Sequence, residues 1–159
     1  MNSRMQEIEY LADIPEIAKC GLIHKNNIFK TLLEKDVDVK KKKFKVVAKL
    51  VANCLKTKIH FIKNDVNETK KRLCLNFGHT FAHSFEMTTK KLFKKEVLRH
   101  GEAVGIGMLA EIFYANKKKN KFYKSLEKIL ELYNLPTQIN CSKSIKPKVQ
   151  SEIYKNIFL

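Results

Sequence analysis

A helical repeat of apolar residues is the pattern that most limits what this chain can fold into. Between residues 44 and 62, apolar side chains recur three or four positions apart, which places them on one face of an α-helix. No stretch of the chain alternates apolar and polar residues as a half-buried strand would. We therefore predict an all-α, multi-helix domain. The predicted buried face of this helix comprises Phe44, Val47, Ala48, Val51, Leu55, Ile59 and Ile62.

A shorter helix is predicted near the N-terminus. Asp13 is a suitable N-cap, Pro15 suits an early helical position, and Gly21 is a suitable end. Glu16 lies three residues after Asp13 and three before Lys19. Its carboxylate is therefore placed either to close a capping box or to face a ligand together with Lys19.

A further helix is predicted over residues 101–116, with Val104, Met108, Ile112 and Ala115 buried. Its glycines, at positions 105 and 107, each cost a helix roughly 1 kcal/mol relative to alanine. Glycines kept at that cost indicate close packing against another backbone or a ligand. Other helices are predicted over residues 28–34 and 122–133, along the segment that follows Gly78, and from residue 144 towards the C-terminus.

Charge and composition limit the class of protein. The 159 residues suit one domain, and the net charge of +16 comes almost entirely from lysines spread along the chain. Arginine commonly binds a phosphate through two parallel hydrogen bonds. It occurs only at Arg4, Arg72 and Arg99. We therefore expect solvated basic faces and no nucleic-acid partner. The four cysteines form no Cys-x-x-Cys pair, and we expect them to be reduced thiols. The sequence shows neither a signal peptide nor an apolar run of membrane-spanning length. We therefore expect a cytoplasmic protein without a membrane partner.

Three of the five histidines lie in one part of the chain. His79 and His83 are four residues apart and share a helix face, and His100 precedes the next predicted helix. Three such side chains that converge would suit zinc, which takes His and carboxylate ligands at catalytic sites. The alternative is that they are solvated or hydrogen-bonded histidines. No glutamate follows His79 directly, so the metalloprotease motif is excluded.

Other polar residues accompany these histidines. Arg72 and Asn76 precede Gly78, which is a suitable start for the helix that carries His79 and His83. A guanidinium, an amide and two imidazoles close together suit an anionic, hydroxylated ligand.

Two ordered blocks carry a family resemblance. Residues 75–86 read LNFGHTFAHSFE and residues 100–108 read HGEAVGIGM. Together they resemble the signature of 3-dehydroquinate synthase, much of which is shared by other sugar-phosphate cyclases. The resemblance covers roughly residues 14–140 and concerns the α-helical C-terminal half of the family. We therefore assign residues 14–159 to a metal- and substrate-binding domain and leave residues 1–13 outside the resemblance, with the NAD-binding α/β domain of the family absent.

The resemblance implies a metal centre. The family has a Glu-x-x-Lys-x-Gly-Leu-Ile block that residues 16–23 match. It implies that Glu16, His79 and His100 bind one divalent metal, with zinc favoured and cobalt as the other candidate.

The resemblance also implies substrate-binding residues. These are Lys19, Lys58, Arg72, Asn76 and His83, of which Lys58 and His83 would be catalytic. Lys58 interrupts the apolar face of the 44–62 helix, and its stem would otherwise run outward to solvent.

The activity implied is that of a lyase of the shikimate pathway, which makes precursors of aromatic amino acids. The substrate would be 3-deoxy-D-arabino-heptulosonate 7-phosphate, which loses phosphate and cyclises to 3-dehydroquinate with transient use of NAD. No glycine-rich dinucleotide fingerprint occurs in the chain. We therefore expect the chain to be truncated, to be inactive alone and to need a separate NAD-binding domain or polypeptide; a homodimer is a further expectation. The alternatives are a related sugar-phosphate cyclase and a non-catalytic basic helical module that binds polyanions.

Overall fold

The computed structural model describes residues 3–158, which form helices and connecting loops without a strand among them. The predicted all-α class is confirmed. None of these helices is long and apolar enough to cross a bilayer. In chain order the helices are α1 (Ser3–Ala12), α2 (Ile14–Ile23), α3 (Ile28–Glu34), α4 (Asp36–Lys40), α5 (Phe44–Asn64), α6 (His79–Phe93), α7 (His100–Asn116), α8 (Lys121–Leu132) and α9 (Lys146–Phe158), with a 3-10 segment, Lys71–Asn76, before α6.

Helix α7 is the centre of the core. It packs against α6, α2 and α8, and its residues from Ala103 to Leu109 are all buried. The predicted burial of Val104, Met108 and Ile112 is confirmed. The prediction for Ala115 is wrong, because the last turn of α7 extends beyond the core and its side chains are exposed. An apolar segment without a polar face is typical of a helix that is covered on all sides.

The glycines of α7 permit contacts between main chains. A Cβ at Gly107 would lie 2.1 Å from the carbonyl oxygen of Gly78, at the start of α6. A Cβ at Gly101 would lie 1.9 Å from the carbonyl oxygen of Ala12, at the end of α1. Side chains cannot be accommodated at such distances, so the predicted close backbone packing is confirmed. At Gly105 the prediction is wrong, because this residue faces the side chains of Leu130 and Pro15.

The predicted buried face of α5 is wrong, although the helix itself forms as predicted. The stripe points largely to solvent: Phe44 is 84% exposed, Leu55 54% and Ile59 59%. The helix instead buries the neighbouring face through Leu50, Thr57 and Phe61. Thr57 can be buried on that face because its hydroxyl forms hydrogen bonds with the imidazole of His24 and the amide of Asn26. The remaining stripe positions are exposed or half-buried: Val47, Ala48, Val51 and Ile62.

Both ends of α2 differ from the prediction. The Asp13 side chain makes no capping hydrogen bond, and the backbone N–H of Glu16 bonds to the Asp13 carbonyl instead. The proposed capping box is therefore absent, and the Glu16 carboxylate is available elsewhere. The helix continues past Gly21 to Ile23, where His24 turns to an extended backbone. Pro15 lies in the first turn as predicted.

Candidate metal and substrate site

The first turns of three helices supply the candidate ligands. Glu16 is the third residue of α2, His79 is the first of α6, and His100 is the first of α7. One ligand atom from each lies within 4.8 Å of the others. We call Glu16, His79 and His100 the donor set. Because helix N-termini carry partial positive charge, first turns that meet in this way also favour an anionic ligand.

The start of α6 depends on Gly78. This residue has a φ of +86°, a left-handed conformation that glycine adopts without strain. A Cβ there would lie 2.5 Å from the Met108 side chain and 2.9 Å from the Val104 carbonyl. The residue before His79 is thus fixed by packing against α7.

The imidazole of His79 is oriented towards the carboxylate. Its Nε2 lies 3.4 Å from Oε1 of Glu16, and its Nδ1 lies 3.4 Å from the carbonyl oxygen of Phe77. Desolvation by burial, helped by the Lys19 cation, lowers the pKa of His79. The neutral imidazole is therefore favoured, and metal binding requires that form.

A second group of ligand types adjoins the first. His83, Glu86 and His100 also place ligand atoms within 4.8 Å of one another, and we call them the outer set. His83 lies one turn after His79, with ring centroids 5.6 Å apart, so the predicted shared face is confirmed. Nδ1 of His100 lies 2.9 Å from Oε1 of Glu86. His100 belongs to both sets, and Nδ1 is the ring nitrogen that contacts Glu86.

Lys19 brings a buried cation to the donor set. Only 3% of the residue is exposed, and its Nζ lies 2.7 Å from Oε2 of Glu16. Lysine is rarely buried so completely without a charged partner. The pair shows that Glu16 and Lys19 share a face, as the sequence predicted, and that a cation is already held beside the carboxylate.

Arg72 and Asn76 are close to each other but bonded to a different carboxylate. The Arg72 guanidinium lies 3.4 Å from Glu68, and the Asn76 amide donates to Glu68 at 2.9 Å. Arg72 also donates to the carbonyl of Val66 at 2.8 Å. None of these contacts joins the donor set. A ligand that recruits Arg72 or Asn76 must therefore compete with Glu68.

Lys58 lies exposed on α5, because the apolar face that it interrupts is itself largely exposed. Its charge acts on the thiols of Cys20 and Cys54, which lie against each other between α2 and α5. The Cys54 thiol donates to Cys20, which lowers the pKa of Cys20 and raises that of Cys54. All four cysteines are free thiols, as predicted.

Two residues near the site were not assigned from the sequence. Glu86 lies in the quoted motif three residues after His83, and that spacing is a signal for a shared face, but its contact with His100 arises only from the packing of α6 on α7. Asp65 follows α5 and accepts hydrogen bonds from the backbone N–H groups of Lys70 and Arg72. The bond from Arg72, with those from Thr69 and Lys70, lowers the pKa of Asp65 to about 2. The only signal for Asp65 in the sequence is that it lies in a polar stretch, residues 64–68.

Known proteins resemble this chain over most of its length. Residues 14–156 match the family described as 3-dehydroquinate synthase C-terminal. The 3-dehydroquinate synthase of Dictyoglomus turgidum is 36% identical over 132 residues, which are 82% of this chain and 36% of that protein. That of Streptococcus equi subsp. equi is 31% identical over 95% of this chain and 41% of its own length. The chain thus spans well under half of the curated relatives that it matches.

A solved structure shares the fold. ValA, a 2-epi-5-epi-valiolone synthase from Streptomyces hygroscopicus subsp. jinggangensis 5008, was solved with NAD+ and Zn2+ bound. It superposes with a TM-score of 0.71 at 18% identity, over 96% of this chain and 42% of that one. The resemblance inferred from two sequence blocks therefore extends across the whole helical arrangement, and the chain belongs to the 3-dehydroquinate synthase C-terminal family.

Proposed function

We propose that this chain is the metal- and substrate-binding part of a 3-dehydroquinate synthase of the shikimate pathway. The enzyme would be a carbon–oxygen lyase that removes phosphate from 3-deoxy-D-arabino-heptulosonate 7-phosphate and closes the ring. The observation that carries the proposal is the donor set, in which α2, α6 and α7 direct a carboxylate and two imidazoles to one point. Membership of the family supplies the reaction.

The donor set fits a divalent metal by its chemistry. A carboxylate and two imidazoles form a ligand set that zinc accepts at catalytic sites, and it leaves coordination positions for substrate. Bound there, zinc or cobalt would act as a Lewis acid on neighbouring substrate hydroxyls. Glu16, His79 and His100 would hold it, and the lowered pKa of His79 keeps that imidazole neutral.

The chain's own cations would hold the anionic groups of the substrate. The Lys19 ammonium, which lies 2.7 Å from Oε2 of Glu16, would lie beside a metal held by that carboxylate and would be placed to bind a substrate oxygen. His83, exposed one turn beyond His79, is placed to exchange a proton with a substrate hydroxyl or phosphate. Arg72 and Asn76 would bind the substrate in place of their present contacts with Glu68. Lys58 would contact the substrate from α5.

The redox part of the reaction would depend on NAD bound by another domain or polypeptide. We expect the 159-residue chain alone to release no phosphate from the heptulosonate substrate in the presence of NAD and zinc. A colorimetric phosphate assay measures this directly. Phosphate release at a rate typical of enzymes by the lone chain would contradict the expectation.

Metal content of the purified chain is the primary test of the proposal. We expect about one zinc per chain by elemental analysis, and its loss in Glu16→Gln and His79→Ala. His60→Ala, which removes an exposed imidazole on α5, is the matched control and should keep the metal. Metal retained in both donor-set variants would overturn the assignment. Absence of metal together with steeply salt-dependent binding to polyanions would favour the basic helical module instead.

A related cyclase activity is the second candidate, because ValA shares the fold while its name indicates a different product. Product analysis by mass spectrometry decides between the two once the chain is combined with a nucleotide-binding part. Formation of 3-dehydroquinate supports the proposal, and a cyclic product from another sugar phosphate alone supports the alternative.

A further inference from the structure

One ring nitrogen of His100 lies beside a carboxylate. Nδ1 lies 2.9 Å from Oε1 of Glu86. A carboxylate at that distance favours a proton on Nδ1, because an ionised carboxylate can only accept a hydrogen bond. Nε2 then carries the lone pair, and it is the nitrogen left for Glu16 and His79. The contact therefore decides which nitrogen His100 can offer to a metal.

Glu86 is well placed for such a role. It lies on α6 two turns after His79, while His100 begins α7, so the bond joins the two helices that carry the histidines of the donor set. Its side chain is 32% exposed, compared with 52% for His100. Within the described part of the chain, the Glu86 carboxylate makes no other hydrogen bond or ion pair.

His79 provides an internal comparison. Its Nδ1 faces the backbone carbonyl of Phe77, and its Nε2 faces Glu16. Both histidines of the donor set thus have Nδ1 directed at an acceptor oxygen outside the set. One acceptor belongs to the main chain and cannot be removed by substitution. The other acceptor belongs to the Glu86 side chain and can be removed by substitution.

We propose that Glu86 is a positioning residue, which holds His100 in the Nδ1–H tautomer so that Nε2 faces Glu16 and His79. The proposal rests on the metal site put forward above. It also assigns the outer set a supporting role: Glu86 accepts a hydrogen bond and does not bind the metal. Substitution of a carboxylate that holds a histidine ligand in this way commonly lowers metal affinity by 10- to 100-fold.

The first test needs no metal. Nitrogen-15 NMR of the metal-free chain at about pH 8, above the ordinary imidazole pKa of about 6.5, reports the tautomer of each histidine. We expect the Nδ1–H form for His100. In Glu86→Met, which keeps side-chain length and helix propensity but removes the acceptor, the Nε2–H form should replace it. Glu96→Met is the matched control, because Glu96 lines the same cavity beside His100 and its substitution changes the charge equally. An unchanged tautomer in Glu86→Met would overturn the proposal.

The second test measures affinity for zinc by competition with a chelator. Glu86→Met should weaken binding by 10- to 100-fold and change the visible spectrum of the cobalt form, whereas Glu96→Met should match the parent chain. If His83→Ala abolished metal binding while Glu16→Gln preserved it, Glu86 would be a ligand of the outer set and the proposal would be wrong. A tautomer change without a loss of affinity would also refute the positioning role. Failure of the parent chain to bind zinc would refute the metal site itself, and the NMR result would still decide whether Glu86 sets the tautomer.

Discussion

Helices α7 and α5 contain similar proportions of apolar residues but differ in how far these residues are buried. Helix α7 is enclosed by α6, α2 and α8, and its middle is buried on every side. Helix α5 is longer and strongly patterned, yet it leaves its regular apolar stripe in solvent. The donor set draws its histidines from α7 and its partner α6, whereas Lys58 lies on α5. The donor set thus lies on the enclosed part of the molecule, whereas Lys58, which we propose binds substrate, lies on an open face.

The largest effect should come from Gly107→Ala. The new Cβ would lie 2.1 Å from the Gly78 carbonyl oxygen, and neither main chain can withdraw without moving a histidine of the donor set. We expect a loss of about 3 kcal/mol or more in the free energy of unfolding, measured by urea denaturation. Gly105→Ala is the control on the same helix, because its nearest neighbour is the end of the Leu130 side chain at 3.0 Å. Equal losses at both positions would show that main-chain contact is not what matters.

A matched pair of leucines tests the contrast between the helices directly. Leu109 on α7 is 2% exposed and Leu55 on α5 is 54% exposed. Leu109→Ala should cost about 2 to 5 kcal/mol, since it leaves a cavity. Leu55→Ala should cost about 0.5 kcal/mol or less in the same denaturation experiment. A similar cost for both would mean that the α5 stripe is covered in solution, which would break the comparison.

The smallest effect concerns the loop that links α5 to the 3-10 segment. The pKa of Asp65 is lowered, mainly by hydrogen bonds from backbone N–H groups, so the ionised form stabilises the loop. That contribution is complete above the ordinary carboxyl range and is lost as the pH falls towards about 2. The amide signals of Lys70 and Arg72 should titrate in that window by NMR. Asp65→Asn should remove this step, while Asp38→Asn, on α4, should leave it unchanged.

The sequence predicted the donor set because the residues lie in ordered blocks, and it predicted the packing of Gly107 because glycine is costly in a helix. It failed on the α5 face because periodicity identifies a stripe but not the surface that covers it. Thr57, buried through hydrogen bonds to His24 and Asn26, could not be recognised before those partners were placed. Glu86 escaped assignment for the same reason, since its partner lies fourteen residues away on another helix.

The contact between Gly107 and Gly78 has a consequence for how this protein tolerates change. At Gly107 the two helices meet through main-chain atoms, which a substitution elsewhere neither shortens nor enlarges. Main-chain contact therefore limits how closely the two helices approach at this point, whichever apolar residues fill the rest of the core. A lineage whose composition shifts towards lysine and asparagine can replace much of its exterior, and even repack its interior, while the distance between the histidines at the two helix starts stays the same.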